Sequence, residues 1–105
     1  MAFYIKQNDS SPSLRVALKD GDGTAIDLLG ASVKFYLVPV GETTPIVNAT
    51  ASILANGIVQ YDWDNGDTST PGTYKGEFEV TYAGGDVETF PNSDYISVII
   101  KPELN

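Results

Sequence analysis

The chain has 105 residues, no cysteine, no histidine, and 14 acidic against six basic side chains, for a net charge of −8. This length is close to the commonest domain size, so we expect one domain spanning residues 1–105 with a modest buried core. The composition excludes disulfides and thiolate metal sites, removes the commonest general base, and argues against nucleic acid or an anionic membrane as partner.

Short segments that alternate apolar and polar side chains follow one another along the chain, and none has a helical period. Turn-forming residues separate them roughly every eight to twelve positions, and Asn56-Gly57 is the strongest two-residue hairpin signal. The predicted strands are residues 3–6, 14–19, 24–28, 32–38, 46–53, 59–63, 71–82, 87–90 and 95–101. The pattern predicts an all-β fold, an immunoglobulin-like antiparallel β-sandwich of about seven to eight strands.

The clearest predicted strand runs from Pro71 to Tyr82 and reads PGTYKGEFEVTY. Its even-numbered positions, from Tyr74 to Tyr82, are mostly apolar, and the odd-numbered ones between them are polar. Since side chains alternate across a strand, one face should cover the core and the other should meet water. Tyr74 also stands where the tyrosine corner of an immunoglobulin-like sandwich would lie.

The last predicted strand breaks the simple alternation, because Ile96, Val98, Ile99 and Ile100 place apolar groups on both of its faces. We favour a strand whose outer face is partly covered by the N-terminus or by a loop. The alternative is a subunit contact, since a bare apolar strand would promote aggregation.

Two acidic groups invite a calcium interpretation, because hard cations prefer clustered carboxylate oxygens. The first is Asp20-Gly21-Asp22-Gly23, whose spacing fails the EF-hand template, so a plain hairpin turn is preferred. The second is Asp62, Asp64 and Asp67, around Asn65-Gly66. We assign no metal or cofactor to either group, and no phosphate-binding loop is present.

The aromatic residues Trp63, Tyr61 and Tyr36 could form a platform for sugar binding. Trp63 alternates in phase with Val59 and Tyr61, however, which predicts that it points into the core of the sandwich. Serine and threonine are plentiful, but no histidine is present to activate one, so we assign no catalytic residue and expect no enzyme.

The N-terminal segment MAFYIKQNDSSP has no basic leader followed by a long apolar run, so we expect no secretory signal and synthesis in the cytoplasm. No apolar run approaches the length of a membrane span. The glycosylation sequons at Asn8 and Asn48 are therefore interpreted as chance matches.

Four segments together resemble the N-terminal domain of phage upper baseplate proteins, the adaptor family of Gram-positive siphophages. They are LRVALKDGDGTAIDLLGASVKFYL at 14–37, GIVQYDW at 57–63, GDTSTPGTYKGEFEVTY at 66–82, and GGDVETFPNSDYISVII at 84–100. The resemblance implies an immunoglobulin-like sandwich that serves as a structural module in a phage tail tip or tail fibre. In that family the N-terminal domain attaches the adaptor to the central tail hub, and later segments carry receptor-binding proteins. The family has no catalytic motif to transfer.

We therefore expect a non-enzymatic structural or adaptor domain of a phage or prophage tail, located in the virion. Its expected partners are other tail or baseplate proteins, and it should form a homo-oligomer in the assembled particle, without nucleic acid or membrane contacts. The alternative is a carbohydrate-binding or adhesin-like sandwich, which predicts that Trp63 or Tyr36 is exposed beside polar partners. A third hypothesis, a hydrolase, would need two carboxylates in a cleft.

Overall fold

A computed structural model describes residues 1–104 of the chain, which form eight strands and one short 3-10 turn. The strands are β1 (Ala2–Lys6), β2 (Leu14–Ala17), β3 (Ser32–Pro39), β4 (Val47–Ile53), β5 (Ile58–Tyr61), β6 (Gly72–Thr81), β7 (Val87–Phe90) and β8 (Ile96–Lys101). The 3-10 turn covers Ala55–Gly57, between β4 and β5. The prediction of an all-β fold is confirmed.

The strands follow the order β1-β8-β6-β3-β4-β5-β2, and β7 pairs with β6 beyond the end of β8. Strand β4 joins two layers, because its residues 47–51 pair with β3 whereas Ser52 and Ile53 pair with β5. We call β1, β8, β6, β7, β3 and the first part of β4 the larger sheet. The smaller sheet consists of the end of β4, β5 and β2. The two sheets form the predicted immunoglobulin-like sandwich.

The core lies between the two sheets and contains the inward-facing side chain of almost every second strand position. Strand β6 shows the alternation most clearly, since Tyr74, Gly76, Phe78 and Val80 are buried and the residues between them are half-buried. The largest fully buried side chains are Phe35, Phe78, Leu14, Leu37, Ile96, Ile100, Val33, Val59, Val80 and Val98. Burying such side chains is the main favourable contribution to folding.

The tyrosine corner predicted at the start of β6 is present. The hydroxyl of Tyr74 donates a hydrogen bond to the backbone carbonyl of Thr70 at 2.6 Å, and the ring of Tyr74 is buried. Burial, and secondarily the charge of Glu42, raises the pKa of the Tyr74 phenol above its ordinary value. The corner therefore attaches the long loop after β5 to the first residues of β6.

The ambiguity in the last strand is resolved by β1. Ile96, Val98 and Ile100 all face the core, which leaves Ile99 as the one large apolar side chain of β8 on the outer face. Strand β1 pairs with β8 and places Tyr4 directly beside Ile99, which is half-buried. The preferred interpretation, partial cover by the N-terminal segment, is confirmed.

Two sequence-based expectations were wrong in detail. Residues 24–28 form no strand, only a single bridge between Lys19 and Ala25, because no further residue of this segment pairs with a neighbouring strand. The pairing of β1 with β8 is parallel, whereas the other strand pairs are antiparallel.

Candidate interaction surface

The first acidic group stabilises a turn. One carboxylate oxygen of Asp20 accepts hydrogen bonds from the backbone N–H groups of Asp22 at 2.9 Å and Thr24 at 3.0 Å. An aspartate that bonds the backbone two residues ahead is the usual device of an Asx turn. The structure thus gives Asp20 the role that the hairpin interpretation predicts.

The second acidic group is also held by protein donors. The carboxylate of Asp67 accepts the hydroxyl of Tyr61 at 2.5 Å and the backbone N–H of Asp64 at 2.8 Å. Asp62 instead accepts bonds from the hydroxyl of Ser13 at 2.5 Å and the side chain of Gln60 at 2.8 Å. These two bonds, the stronger from Ser13, lower the pKa of Asp62, whereas burial and the bond to Asp67 raise the pKa of Tyr61.

Across residues 1–104, no three histidine, cysteine, aspartate or glutamate side chains are grouped so that they could hold a metal ion. Over the same residues, no helix is both long and apolar enough to cross a membrane.

Trp63 lies in the core, as its phase with Val59 and Tyr61 predicts. Its side chain is 5% exposed, and its indole N–H donates a hydrogen bond to the carbonyl oxygen of Pro12 at 3.1 Å. The ring stacks on Phe3 at 5.8 Å between centroids. Trp63 and Tyr61 are therefore not available as a platform for sugar.

Tyr36 lies on the outer face of the larger sheet, in a row of side chains that crosses four chain segments. It pairs in register with Glu77 of β6 on one side and with Asn48 of β4 on the other. Tyr95 immediately precedes Ile96, which pairs with Gly76, so Tyr95 lies on the far side of Glu77. We call Tyr36, Glu77 and Tyr95 the tyrosine row.

A groove of about 310 Å³ runs along the tyrosine row. Val38 and Lys75 form the next row of the sheet beside it, and Glu42 and Thr43 reach it from the loop between β3 and β4. The ammonium group of Lys75 lies 5.6 Å from the centroid of the Tyr95 ring, a cation–π distance. The groove thus combines two aromatic rings with carboxylate, hydroxyl and ammonium groups.

The outer face of the larger sheet is much less acidic than the rest of the molecule. It carries four of the six basic residues, namely Lys6, Lys34, Lys75 and Lys101. Against them the strands of this face present two carboxylates, Glu77 and Glu79. The other acidic residues lie mainly on the loops. Most of the net charge of −8 is therefore located away from this face.

Strands β1 and β2 stand at the two ends of the strand order, so each has one edge without a partner among the described residues. Beside the open edge of β2 lies a groove of about 300 Å³ with an apolar lining that includes Val16, Leu18, Phe90 and Ile96. An open edge next to apolar side chains is a surface to which an extended segment of another protein can add a strand.

An apolar patch lies at the end of the sandwich where β4 turns into β5. Leu29, which is 88% exposed, Ile53 and Leu54 surround a groove of about 590 Å³. We call these three residues the apical patch. Single exposed apolar residues are common on protein surfaces, but a contiguous group of this kind is typical of a contact with another protein.

Neither a protein-family model nor a curated protein sequence matches the chain. Among solved structures, the chain is similar to CopC from Methylosinus trichosporium OB3b, with a TM-score of 0.57 and 12% sequence identity. The alignment covers 98% of this chain and 86% of that chain. At this identity the similarity shows the fold alone, a β-sandwich in both proteins.

Of the candidate aromatic residues, Tyr36 alone lies where it can contact a ligand, and sequence analysis missed its counterpart, Tyr95. The alternation of side chains in the last strand does indicate the orientation of Tyr95. Ile96 faces the core, so Tyr95 must face outward, but its distance from Tyr36 depends on strand order. The apical patch was missed for a similar reason, because Leu29 and Leu54 are brought together by tertiary structure.

Proposed function

We propose that this chain is a non-enzymatic structural module of a phage or prophage tail, part of a baseplate or tail fibre. It acts through contacts with other tail proteins and with further copies of itself in the assembled virion. Four segments that resemble the upper baseplate adaptor family support the proposal, as does the immunoglobulin-like sandwich on which they lie.

The observation that carries the proposal is the apical patch, which offers contiguous apolar surface beside a groove. Burying this surface against a neighbouring protein would remove it from water, at about 25 cal/mol for each Å² of apolar area. The open edges of β1 and β2 add backbone donors and acceptors that such a neighbour could use.

Mass spectrometry of purified virions tests the proposal, and absence of the chain from the particle would overturn it. A charged substitution in the apical patch, Leu29→Asp, should then reduce incorporation into the particle. Val40→Asp is the matched control, because Val40 is also exposed but follows β3 at the opposite end of that strand. Equal incorporation of both variants would show that the apical patch does not contact another protein of the particle.

A second candidate function is recognition of host-surface carbohydrate. One observation favours it, namely that Tyr36 is half-buried on the outer face and donates its hydroxyl to a carboxylate oxygen of Glu79 at 3.4 Å. Aromatic rings held beside polar groups are suited to sugars, whose surfaces alternate apolar C–H faces with hydroxyls. A glycan array that stays blank at high protein concentration would contradict this candidate.

A further inference from the structure

The tyrosine row has a spacing set by the sheet itself. Neighbouring strands lie roughly 4.8 Å apart, so the backbones that carry Tyr36 and Tyr95 are separated by about 10 Å, with Glu77 between them. All three side chains project from the same face, and all three line the groove of about 310 Å³. A groove of this volume can accommodate one ring-shaped ligand over the carboxylate.

Each of the two rings makes one polar contact beside the groove. The hydroxyl of Tyr36 is bonded to Glu79, and the Tyr95 ring lies 5.6 Å from the ammonium of Lys75. Tyr95 is nevertheless 40% exposed. Its backbone N–H also donates to the carboxylate of Asp94 at 2.8 Å. Ordering these groups before binding reduces the entropy lost when a ligand enters.

The charges of the groove argue against a polyanion, because Glu42 and Glu77 would repel it. Lys75 offsets part of their negative charge. The hydroxyl of Thr43 and the two carboxylates can instead accept or share hydrogen bonds with the hydroxyls of a neutral ligand. A pyranose meets both requirements, because its C–H face can pack on a tyrosine ring while its hydroxyls bond to these polar groups.

We propose that the tyrosine row binds one uncharged pyranose unit of a polysaccharide, with Tyr36 and Tyr95 flanking the sugar ring and Glu77 accepting bonds from its hydroxyls. This inference rests on the second candidate function. It names the site and the class of ligand, and it is independent of whether the apical patch contacts tail proteins.

The test is a titration of the full chain, followed by amide NMR shifts, with methyl glycosides of glucose, galactose, rhamnose and N-acetylglucosamine. At least one glycoside should shift residues of the tyrosine row and of the loop between β3 and β4. Tyr36→Ala and Tyr95→Ala should each weaken its binding about tenfold or more, the loss of roughly one good aromatic contact. Glu77→Gln should weaken it by a smaller factor, because the amide oxygen still accepts a hydrogen bond.

Tyr4→Ala is the matched control. Tyr4 is an exposed tyrosine on the same outer face, 60% exposed and with a lysine 5.8 Å from its ring centroid, but it lies outside the groove. Its substitution should leave sugar binding unchanged. An equal loss in Tyr4→Ala, or no shift with any of the four glycosides, would overturn the proposal.

Two further measurements separate the alternatives. Titration with poly(glycerol phosphate) should give no shift at the tyrosine row, and preferential binding of this polyanion would assign the face to anionic polymers instead. The tyrosine variants should still enter the virion at the normal level, because the apical patch is unchanged in them. Loss of incorporation with intact folding would instead make the row a protein contact and overturn the sugar proposal.

Discussion

The ring of Phe35, on β3 of the larger sheet, stacks on the ring of Tyr61, on β5 of the smaller sheet, with 4.7 Å between their centroids. Trp63 meets both rings edge to face, at 5.9 Å from Phe35 and 5.3 Å from Tyr61. Such pairs stabilise a protein by about 0.5–1.5 kcal/mol beyond the area they bury. This aromatic cluster therefore connects the two layers at the centre of the sandwich.

Trp63→Ala should lower the free energy of unfolding by about 3–5 kcal/mol, because it removes the largest ring of the cluster and leaves a cavity. Urea unfolding followed by circular dichroism measures the loss, since the variant has no tryptophan to report by fluorescence. Tyr4→Ala, at an exposed ring, should cost far less. A loss below about 1 kcal/mol for Trp63→Ala would contradict the placement of this residue in the core.

Tyr74→Phe should lower the free energy of unfolding by about 1 kcal/mol, the usual net value of a buried hydrogen bond. The substitution keeps the ring and removes only the donor to the Thr70 carbonyl. Tyr4→Phe is the control, because the Tyr4 hydroxyl makes no hydrogen bond within residues 1–104. Equal stabilities of the two variants would show that the hydrogen bond from Tyr74 to Thr70 contributes nothing to the free energy of unfolding.

Gly57→Ala should destabilise the sandwich by about 1–3 kcal/mol, because a left-handed backbone is strained for alanine and the new methyl group has no space. Gly57 has φ +73°, and a Cβ there would lie 3.0 Å from the backbone oxygens of Leu18 and Ile26. At Gly84 a Cβ would meet nothing within 4 Å. Gly84→Ala should therefore be close to neutral. Thermal unfolding of the two variants measures the difference, and a similar loss of stability at both positions would contradict this explanation.

Stability should fall as the pH rises above 10. Burial, and secondarily the hydrogen bond to Glu88, raises the pKa of Tyr82 from its ordinary value of 10.0 to about 12. The unfolded chain then loses this proton first, so the contribution of Tyr82 is fully present below pH 10 and is lost between pH 10 and about 12. The Tyr82→Phe variant should lose less stability than the natural sequence between these two pH values. Urea unfolding at each of the two pH values measures the loss. A variant that loses as much as the natural sequence would contradict this role.

The fold could be predicted because the signals for its strands and turns come from residues that are adjacent in sequence. The alternation around Phe78, the Asn56-Gly57 turn and the Tyr74 corner each depend on neighbours in sequence, and each was placed correctly. One prediction that was wrong, a strand at residues 24–28, depended on whether a neighbouring strand pairs with this segment. Residues 24–28 have the composition of a strand, but a strand also needs a neighbour, and only Lys19 pairs with them.

Only one part of the candidate site, the orientation of Tyr36, could be predicted from the sequence. Tyr36 could be identified as outward-facing from its own strand, whereas its relation to Tyr95 arises only because β6 lies between β3 and β8. Alternation predicts the face on which a side chain lies. It does not predict which strand lies beside it.

The parallel pairing of β1 with β8 has a consequence for the order of folding. Ala2 pairs with Ser97, so this ladder closes a loop that contains nearly the whole chain. Ordering so long a loop costs more entropy than closing any hairpin, and folds rich in such distant contacts assemble slowly. We therefore expect the hairpins around β3, β4 and β6 to form early. Strand β1 should dock last and should be the first segment to exchange its amide hydrogens with solvent.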